Sequence, residues 1–454
     1  PGYGFLSENA EFARACENAG ITFVGPRPEL LESMGDKVAA KRAAGKAGVP
    51  TLPATPKAVS DPKDALVWGE KIGFPLIIKA AFGGGGRGMR VVTEKKDLKA
   101  MLEEAQGEAE RAFGNSAVFL ERYVPNAKHL EVQVLADAHG NCMALFGRDC
   151  SVQRRHQKII EEAPASIAPE ATFREMEAAA IRLSKMVGYV SAGTIEYLYD
   201  VDTQTFSFLE LNPRLQVEHP CSEMICGVNL PACQLMVAMG VPLHRIPDIR
   251  SMYRKDKYDS SRLALDDLST RPPPNGHVIA CRITAENPDE GFKPSGGTVQ
   301  ELNFRSSVDV WGYFSVGAAG GLHEFADSQF GHCFAWGRTR DDARHAMVVA
   351  LKELSIRADF RTTAEYLVKL LEHDEFRNNA ISTEWLDTLI VKQVKAERPD
   401  PMVAVTCGAV HIADSAIAQA ADEFSAALAR GQIMSGQMLN KERDRELIYD
   451  NVKY

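Results

Sequence analysis

Phe208-Leu-Glu-Leu-Asn-Pro-Arg-Leu-Gln-Val-Glu-His-Pro220 sets Glu210, Asn212, Arg214, Gln216 and Glu218 in alternation with Leu209, Leu211, Pro213, Leu215 and Val217. Successive side chains of an extended chain point to opposite sides, so polar groups line one side here and apolar groups back the other. Carboxylate, amide, guanidinium, amide and carboxylate make a set suited to Mg²⁺ and a small anion together. Pro213 cannot donate to a sheet ladder, so regular pairing is expected to stop near it and give way to extended loop. Just upstream, Ala192-Gly-Thr-Ile-Glu-Tyr-Leu-Tyr199 runs through the polar turn Asp200-Val-Asp-Thr-Gln-Thr205 into Phe206-Ser-Phe-Leu-Glu210. Folded as a hairpin, these runs bring Glu196 near Glu210. Facing carboxylates repel each other and persist where a divalent cation sits between them. The plainer alternative is a solvated hairpin face with incidental acids.

The chain has 454 residues, 45% of them hydrophobic and 25% charged. That is too long for one hydrophobic core and suggests roughly two to four domains of a globular protein. No segment reaches the ~18 consecutive apolar residues of a membrane span, and no signal peptide opens the chain. A net charge of −9 argues against a general nucleic-acid binder. Nine cysteines lack any Cys-x-x-Cys pairing, which favours reduced thiols in a cytoplasmic setting over disulfides or zinc. Pro1 is not an initiator methionine, and Glu446 to Tyr454 stops inside what reads as a hairpin, so a piece of a longer polypeptide is expected.

Residues 1 to about 50 read as helices around a short strand, Ile21-Thr-Phe-Val24. Pro75-Leu-Ile-Ile-Lys-Ala80, Gly83-Gly-Gly-Gly-Arg-Gly88 and Met89-Arg-Val-Val92 read as strand, glycine loop and strand. A helix over Lys95 to Phe113 and the strand Ala117 to Glu121 complete a small α/β unit. The loop is not a P-loop, because no Lys-Ser or Lys-Thr follows it and no helix opens after it. Backbone N–H groups of Gly84, Gly85 and Gly86 can instead close over a triphosphate, with a merely flexible turn as the alternative. Lys79, on an otherwise apolar strand just before the loop, and Lys37 in Met34-Gly-Asp-Lys37 are candidate phosphate ligands, though either can be an ordinary surface charge. Glu121 to Val124, including Tyr123, is a candidate main-chain edge for adenine or else a plain hinge. His129-Leu-Glu-Val-Gln-Val-Leu135 alternates strictly and reads as a strand. Asp149-Cys-Ser-Val-Gln-Arg-Arg-His-Gln-Lys158 reads equally as a charged loop or as an anion site using Gln153, His156 and Lys158. Met252 to Pro274 reads as a connecting loop, 277 to about 392 as strands ending in two helices, and the stretch after Val391 as a mostly helical connector.

These motifs together, from Met34-Gly-Asp-Lys37 through Phe208 to Pro220, resemble the biotin carboxylase component of biotin-dependent carboxylases, over residues 1 to about 392 and in family order. The resemblance implies an α/β (α+β) architecture: an ATP-grasp fold with a glycine-rich lid subdomain and a biotin carboxylase C-terminal subdomain. It divides the chain into the remainder of an N-terminal α/β portion (1–51), the lid (52–122), the catalytic subdomain (123–270), the C-terminal subdomain (271–392) and a helical linker toward a biotin-carrier region (393–454). It also implies that Lys37, Lys79, Gly84 to Gly86, Glu121, Tyr123, Val124, His129, Gln153 and His156 contact ATP. Glu196, Glu210 and Asn212 would hold Mg²⁺ or Mn²⁺. Lys158, Arg214, Gln216 and the Val217 amide would hold bicarbonate, with Glu218 as the base beside Arg214. Biotin enters as a substrate borne on a separate domain. The family's arginine thought to stabilise the biotin enolate is matched by Trp311 when aligned on Asp327-Ser328, which leaves that role unassigned.

From about Phe146 onward, stretches such as Val187-Gly-Tyr-Val-Ser-Ala-Gly-Thr194 and His323-Glu-Phe-Ala-Asp-Ser-Gln-Phe-Gly331 resemble the large single-chain acetyl-CoA carboxylases of eukaryotes. Pro1 to Asn9 and Ala81 to Arg90 are closer to pyruvate carboxylase or the separate bacterial subunit. Biotin-carrier and carboxyltransferase domains on the same polypeptide, and a homo-oligomer, are the implied partners. Another ATP-grasp ligase, the biotin carboxylase part of a different carboxylase, or a nucleotide-binding domain without turnover are the alternatives.

Overall fold

The computed structural model describes residues 2–59, 61–81, 89–155, 157–323, 327–392, 400–432, 447–449 and 452–453. It divides into two compact units, Pro1–Val394 and Lys395–Tyr454. The first opens with helices α1 (Ala10–Asn18), α2 (Pro28–Gly35) and α3 (Lys37–Lys46). Each of α1 and α3 starts where a side chain accepts orphan backbone N–H groups: Asn9 from Phe12, and Asp36 from Val38 and Ala39. Ile21 to Val24 is not a strand. A β-prone run needs a ladder partner, and none lies beside it among the described residues; Ile21 is exposed, and Phe23 rests edge-on against Phe12.

Helix α4 (Pro62–Ile72), strands β1 (Leu76–Ala80) and β2 (Arg90–Val92), helix α5 (Leu98–Phe113) and strand β3 (Val118–Arg122) follow. The three strands form an antiparallel sheet in the order β2-β1-β3, with α4 and α5 closing a small apolar core over it. All five residues of β1 are buried, including Lys79. The glycine loop, with Gly84, Gly85 and Gly86, lies outside the described residues.

Strands β4 (Lys128–Ala136), β5 (Cys142–Arg154), β6 (Gln157–Ala163), β7 (Ser191–Asp200), β8 (Thr205–Asn212) and β9 (His277–Thr284) enter one large antiparallel sheet. Helix α6 (Glu170–Met186) precedes β7; α7 (His219–Cys226), α8 (Leu230–Ala238) and α9 (Pro247–Met252) lie between β8 and β9. Then come the ribbon β10 (Glu286–Asn287) with β11 (Lys293–Pro294), β12 (Gly297–Asn303), β13 (Val310–Phe314), β14 (Gly321–Leu322) and β15 (Gln329–Gly337). The large sheet has the order β13-β15-β9-β6-β5-β4-β7-β8. Helix α10 (Arg340–Glu353), strand β16 (Ser355–Ala358) and helices α11 (Ala364–Glu372), α12 (Asp374–Arg377) and α13 (Trp385–Val391) complete the unit, with β12 pairing both β14 and β16.

Alternation in β4 decides where the site lies. Leu130, Val132, Val134 and Ala136 point into the core beneath α6, so His129, Glu131 and Gln133 point to the other side. A Cβ at Gly147 of β5 would lie 2.4 Å from the Glu131 backbone oxygen and 2.1 Å from the Phe173 ring, so only glycine lets the two strands close under α6. The β7–β8 hairpin forms in the expected register, Glu196 opposite Glu210, and β8 ends at Asn212 just before Pro213. Beyond it the chain leaves the sheet and enters α7 at His219. The stretch 149–158 is not a charged loop: it is the buried end of β5, a turn, and the start of β6.

In the second unit, α14 (Pro401–Ala429) is capped by Asp400, whose side chain accepts from the Met402 N–H, and β17 (Ile448–Tyr449) pairs with β18 (Val452–Lys453). Among the described residues no single helix is long and apolar enough to cross a membrane.

Candidate active site

A cavity of about 440 Å³ opens over the polar face of β4–β8. Its lining includes Lys37, Lys79, His129, Gln153, Lys158, Glu196, Glu210, Asn212, Arg214, Gln216, Val217 and Glu218, residues drawn from seven separate stretches of sequence. Glu121, Tyr123 and Val124 do not line it, and His156 lies outside the described residues.

Lys158 is the hub. Its Nζ donates to Glu131 at 2.6 Å, Glu218 at 2.6 Å and Glu196 at 3.1 Å. Burial works against its charge, but Cys150, Glu131, Glu196 and Glu218 around it hold the ammonium well above its ordinary range. Burial likewise opposes the charge on Glu196, and Lys158 and His129 outweigh it, so that carboxylate stays well below its usual range. The His129 Nε2 lies 2.8 Å from Glu196, and the Gln153 amide lies 2.6 Å from His129 Nδ1. Below this layer Arg148, with no exposed side-chain surface, donates to Glu131, Gln133, Ser222, Thr194 and Gln216. It ties β4, β5, β7, the loop after β8 and α7 into one floor.

Glu218 sits between two cations, Lys158 and Arg282, whose guanidinium reaches it at 2.9 Å. Burial raises its proton affinity, yet Lys158, Arg282 and Arg148 prevail and hold it well below the usual carboxylate range. The carboxylate beside Arg214 is Glu8, at 2.7 Å, and not Glu218 as the resemblance implied.

At the other end of the cavity, Lys79 Nζ meets Glu121 at 2.5 Å, and Lys41 closes on the other oxygen of the same carboxylate. Glu121 therefore turns toward lysines inside the wall. The Tyr123 N–H is already bonded to the Pro75 carbonyl at 3.2 Å. Burial first, and the neighbouring Lys37 second, bring the Lys79 ammonium down to about 7.

The oxygen donors fit a hard divalent cation. Glu210 is held only loosely, with Lys37 at 3.7 Å and the Asn212 amide at 3.5 Å, and its side chain is 33% exposed toward the cavity. Its register partner Glu196 supplies a second carboxylate, and the Asn212 amide nitrogen donates to Glu196 at 2.9 Å, leaving the Asn212 carbonyl oxygen available. His129 and Glu131 add ligand atoms that lie within 4.8 Å of those of Glu196.

Arg282, Glu131 and Arg148 escaped the sequence reading. Arg282 stands alone in an apolar run, Val278-Ile-Ala-Cys-Arg-Ile283, a signal that a buried cation there needs an acid. Trp311 does not reach the cavity; its ring stacks on Phe334 at 4.7 Å and its Nε1 points to the Met224 sulfur.

This arrangement has known counterparts. The chain is 38% identical to a Campylobacter jejuni biotin carboxylase solved as a β-γ-ATP complex, with a TM-score of 0.77 over 86% of this chain and 81% of that one. The biotin carboxylase domain of Hydrogenobacter thermophilus 2-oxoglutarate carboxylase, solved with MgADP, ADP and bicarbonate, gives 35% identity and a TM-score of 0.77 over 86% and 80%. The chain belongs to the biotin carboxylase family. Family profiles for the biotin carboxylase N-terminal domain, the carbamoyl-phosphate synthase L chain ATP binding domain and the biotin carboxylase C-terminal domain match residues 1–31, 36–246 and 280–388. The acetyl-CoA carboxylase BT domain profile matches residues 400–454. Acetyl-CoA carboxylases of Saccharomyces cerevisiae and Dictyostelium discoideum are each 48% identical over 100% of this chain, covering 22% and 21% of their own lengths. The chain thus spans about a fifth of the curated relatives it matches. The architecture is that of an ATP-grasp biotin carboxylase, a ligase.

Proposed function

We propose that this chain carboxylates biotin at the expense of ATP and bicarbonate, through carboxyphosphate, as the first half-reaction of an acetyl-CoA carboxylase that makes malonyl-CoA for fatty acid synthesis. The observation that carries it is the unbroken line Lys158–Glu218–Arg282 along one cavity wall, backed by the buried Glu131 on Lys158, with the Glu196–Glu210 pair beside it. In this reading Lys37, Lys79, His129, Gln153 and His156 take ATP, with the 121–124 strand end and Gly84 to Gly86 around the base and phosphates. Lys158, Arg214, Gln216 and the Val217 amide take bicarbonate. Glu218 removes its proton: the cations that weaken Glu218 as a base also stabilise the carbonate dianion that forms, so transfer depends on the difference between the two. Glu196, Glu210 and Asn212 would hold Mg²⁺ or Mn²⁺, which neutralises phosphate charge during phosphoryl transfer.

We assign residues 1–51, 52–122, 123–270, 271–392 and 393–454 to the N-terminal remainder, lid, catalytic, C-terminal and linker parts. Biotin-carrier and carboxyltransferase domains of the same polypeptide are the partners, in a homo-oligomeric enzyme of the cytoplasm, where nine free thiols persist.

ADP release with Mg·ATP and bicarbonate is expected to rise on adding free biotin. Release that ignores biotin but requires ammonia would assign the site to a different ligase. Glu210→Gln is expected to raise the KM for Mg·ATP by about tenfold to a hundredfold, the worth of a charged contact. A Mg²⁺ titration checks it, and an unchanged Mg²⁺ dependence would take Glu210 out of the metal site.

A further inference from the structure

Behind the cavity wall a second line of polar groups runs inward from Glu218 into the sheet. Arg282 on β9 donates from its terminal nitrogen to Glu218 at 2.9 Å and from Nε to Glu161 Oε1 at 2.5 Å. Glu161 on β6 is fully buried, and its other oxygen, Oε2, lies 3.1 Å from His332 Nε2. His332 on β15 is the register partner of Arg282 and is itself fully buried, packed against the rings of Phe334 and Tyr313. Its Nδ1 has no hydrogen-bond partner among the described residues, so Nε2 is the nitrogen that donates, in either protonation state.

We propose that His332 is a positioning residue for Glu218, acting through Glu161 and Arg282. An arginine facing a buried carboxylate with two free oxygens takes it as a fork, two parallel N–H bonds at once. Here His332 competes for Oε2, and Glu161 holds Arg282 through the Nε bond alone. One terminal nitrogen of Arg282 is left for Glu218, and the other donates to Gln329 at 3.3 Å. Both Glu161 and His332 have zero exposure. The inference deepens the reading of Glu218 as the base and rests on it.

The charged and titratable groups that face Glu218 include Lys158 and Glu161 from β6, Arg148 and Cys150 from β5, Glu131 from β4, Cys221 from α7 and Arg282 from β9. Those facing His332 are Glu161, Arg282 and Tyr313. Removing the His332 donor lets Arg282 fork onto Glu161 and withdraw from Glu218. The base then holds its proton more tightly, and the acid limb of the bicarbonate kcat/KM profile moves to higher pH. Neutralising Glu161 does the reverse, since an unbalanced Arg282 turns wholly to Glu218.

The test is the pH profile of biotin-stimulated ADP release. His332→Phe should move the acid limb up by about one pH unit with the KM for Mg·ATP unchanged, and Glu161→Gln should move it down. His332→Gln, which keeps an N–H donor, should restore the wild-type limb. A mere packing role would lower the rate in all three without opposite shifts. Superimposable limbs for wild type and His332→Phe, or shifts of one sign in the Phe and Glu161→Gln variants, overturn the proposal. Should His332→Phe fail to fold, the same upward shift in His332→Leu, against an unmoved limb in His332→Gln, decides. Glu218→Gln separates the two levels: lost turnover there with an unmoved limb in His332→Phe sinks only the positioning role, whereas full turnover sinks the base reading itself.

Discussion

Glu218→Gln is expected to lower bicarbonate-dependent ADP release by about two to four orders of magnitude, the usual contribution of a positioned general base, while Mg·ATP still binds. Glutamine keeps the shape but has a single acceptor oxygen, so it can accept from Lys158 or from Arg282 and not from both, and its amide takes up no proton at working pH. Lys158 and Arg282 both meet Glu218 at the cavity wall, so in the proposed reaction the substitution keeps the cations of the wall and removes the group that would deprotonate bicarbonate. Comparing turnover with ATP affinity by calorimetry gives the decisive split. Turnover that survives in the Gln variant would remove Glu218 from the base role.

Arg148→Met should have the largest effect on stability, about 3–5 kcal/mol, as expected for a buried charge partner removed from its acid. Five side chains lose a donor at once: Glu131, Gln133, Thr194, Gln216 and Ser222. Methionine fills much of the volume and satisfies none of them. Arg148→Lys should recover only part of the loss, because an ammonium has three donors and no planar fork. Thermal denaturation measures both, and an unchanged midpoint in the Met variant would show that the floor is held by other contacts.

The β7–β8 hairpin, its Glu196–Glu210 register and its stop at Pro213 were legible because one face is polar, one apolar, and proline has no donor. β5 was not: all thirteen of its residues are buried, so there is no period for the eye to find, and its end reads equally as a charged loop or an anion site. Ile21 to Val24 erred the other way, since β-propensity without a neighbouring strand forms nothing. Of the site, the residues in local motifs were visible, and those that act through partners were hidden. Arg282 needs Glu161 and Glu218, and His332 needs Glu161; these residues are far apart in sequence and adjacent only because β6, β9 and β15 are neighbours. The pairing of Arg214 with Glu8 was hidden for the same reason, since the two residues are far apart in sequence.

The pairing of β6 with β9 also bears on how such enzymes can be rearranged. Glu161 lies opposite Ala280 and Ile160 opposite Cys281, so the chain before the Met252 to Pro274 connection and the chain after it share one continuous hydrogen-bonded sheet. The proline-rich connection looks like a natural place to cut. Cutting and exchanging there would set one parent's β6 edge against another's β9, and Glu161, Arg282 and Glu218 would come from different ancestors. Recombination between carboxylases is therefore constrained by strand order more than by loops: a viable crossover carries β6, β9 and β15 together, and a break in the connection leaves two halves, each with an unpaired strand edge, that must find each other again to complete the sheet.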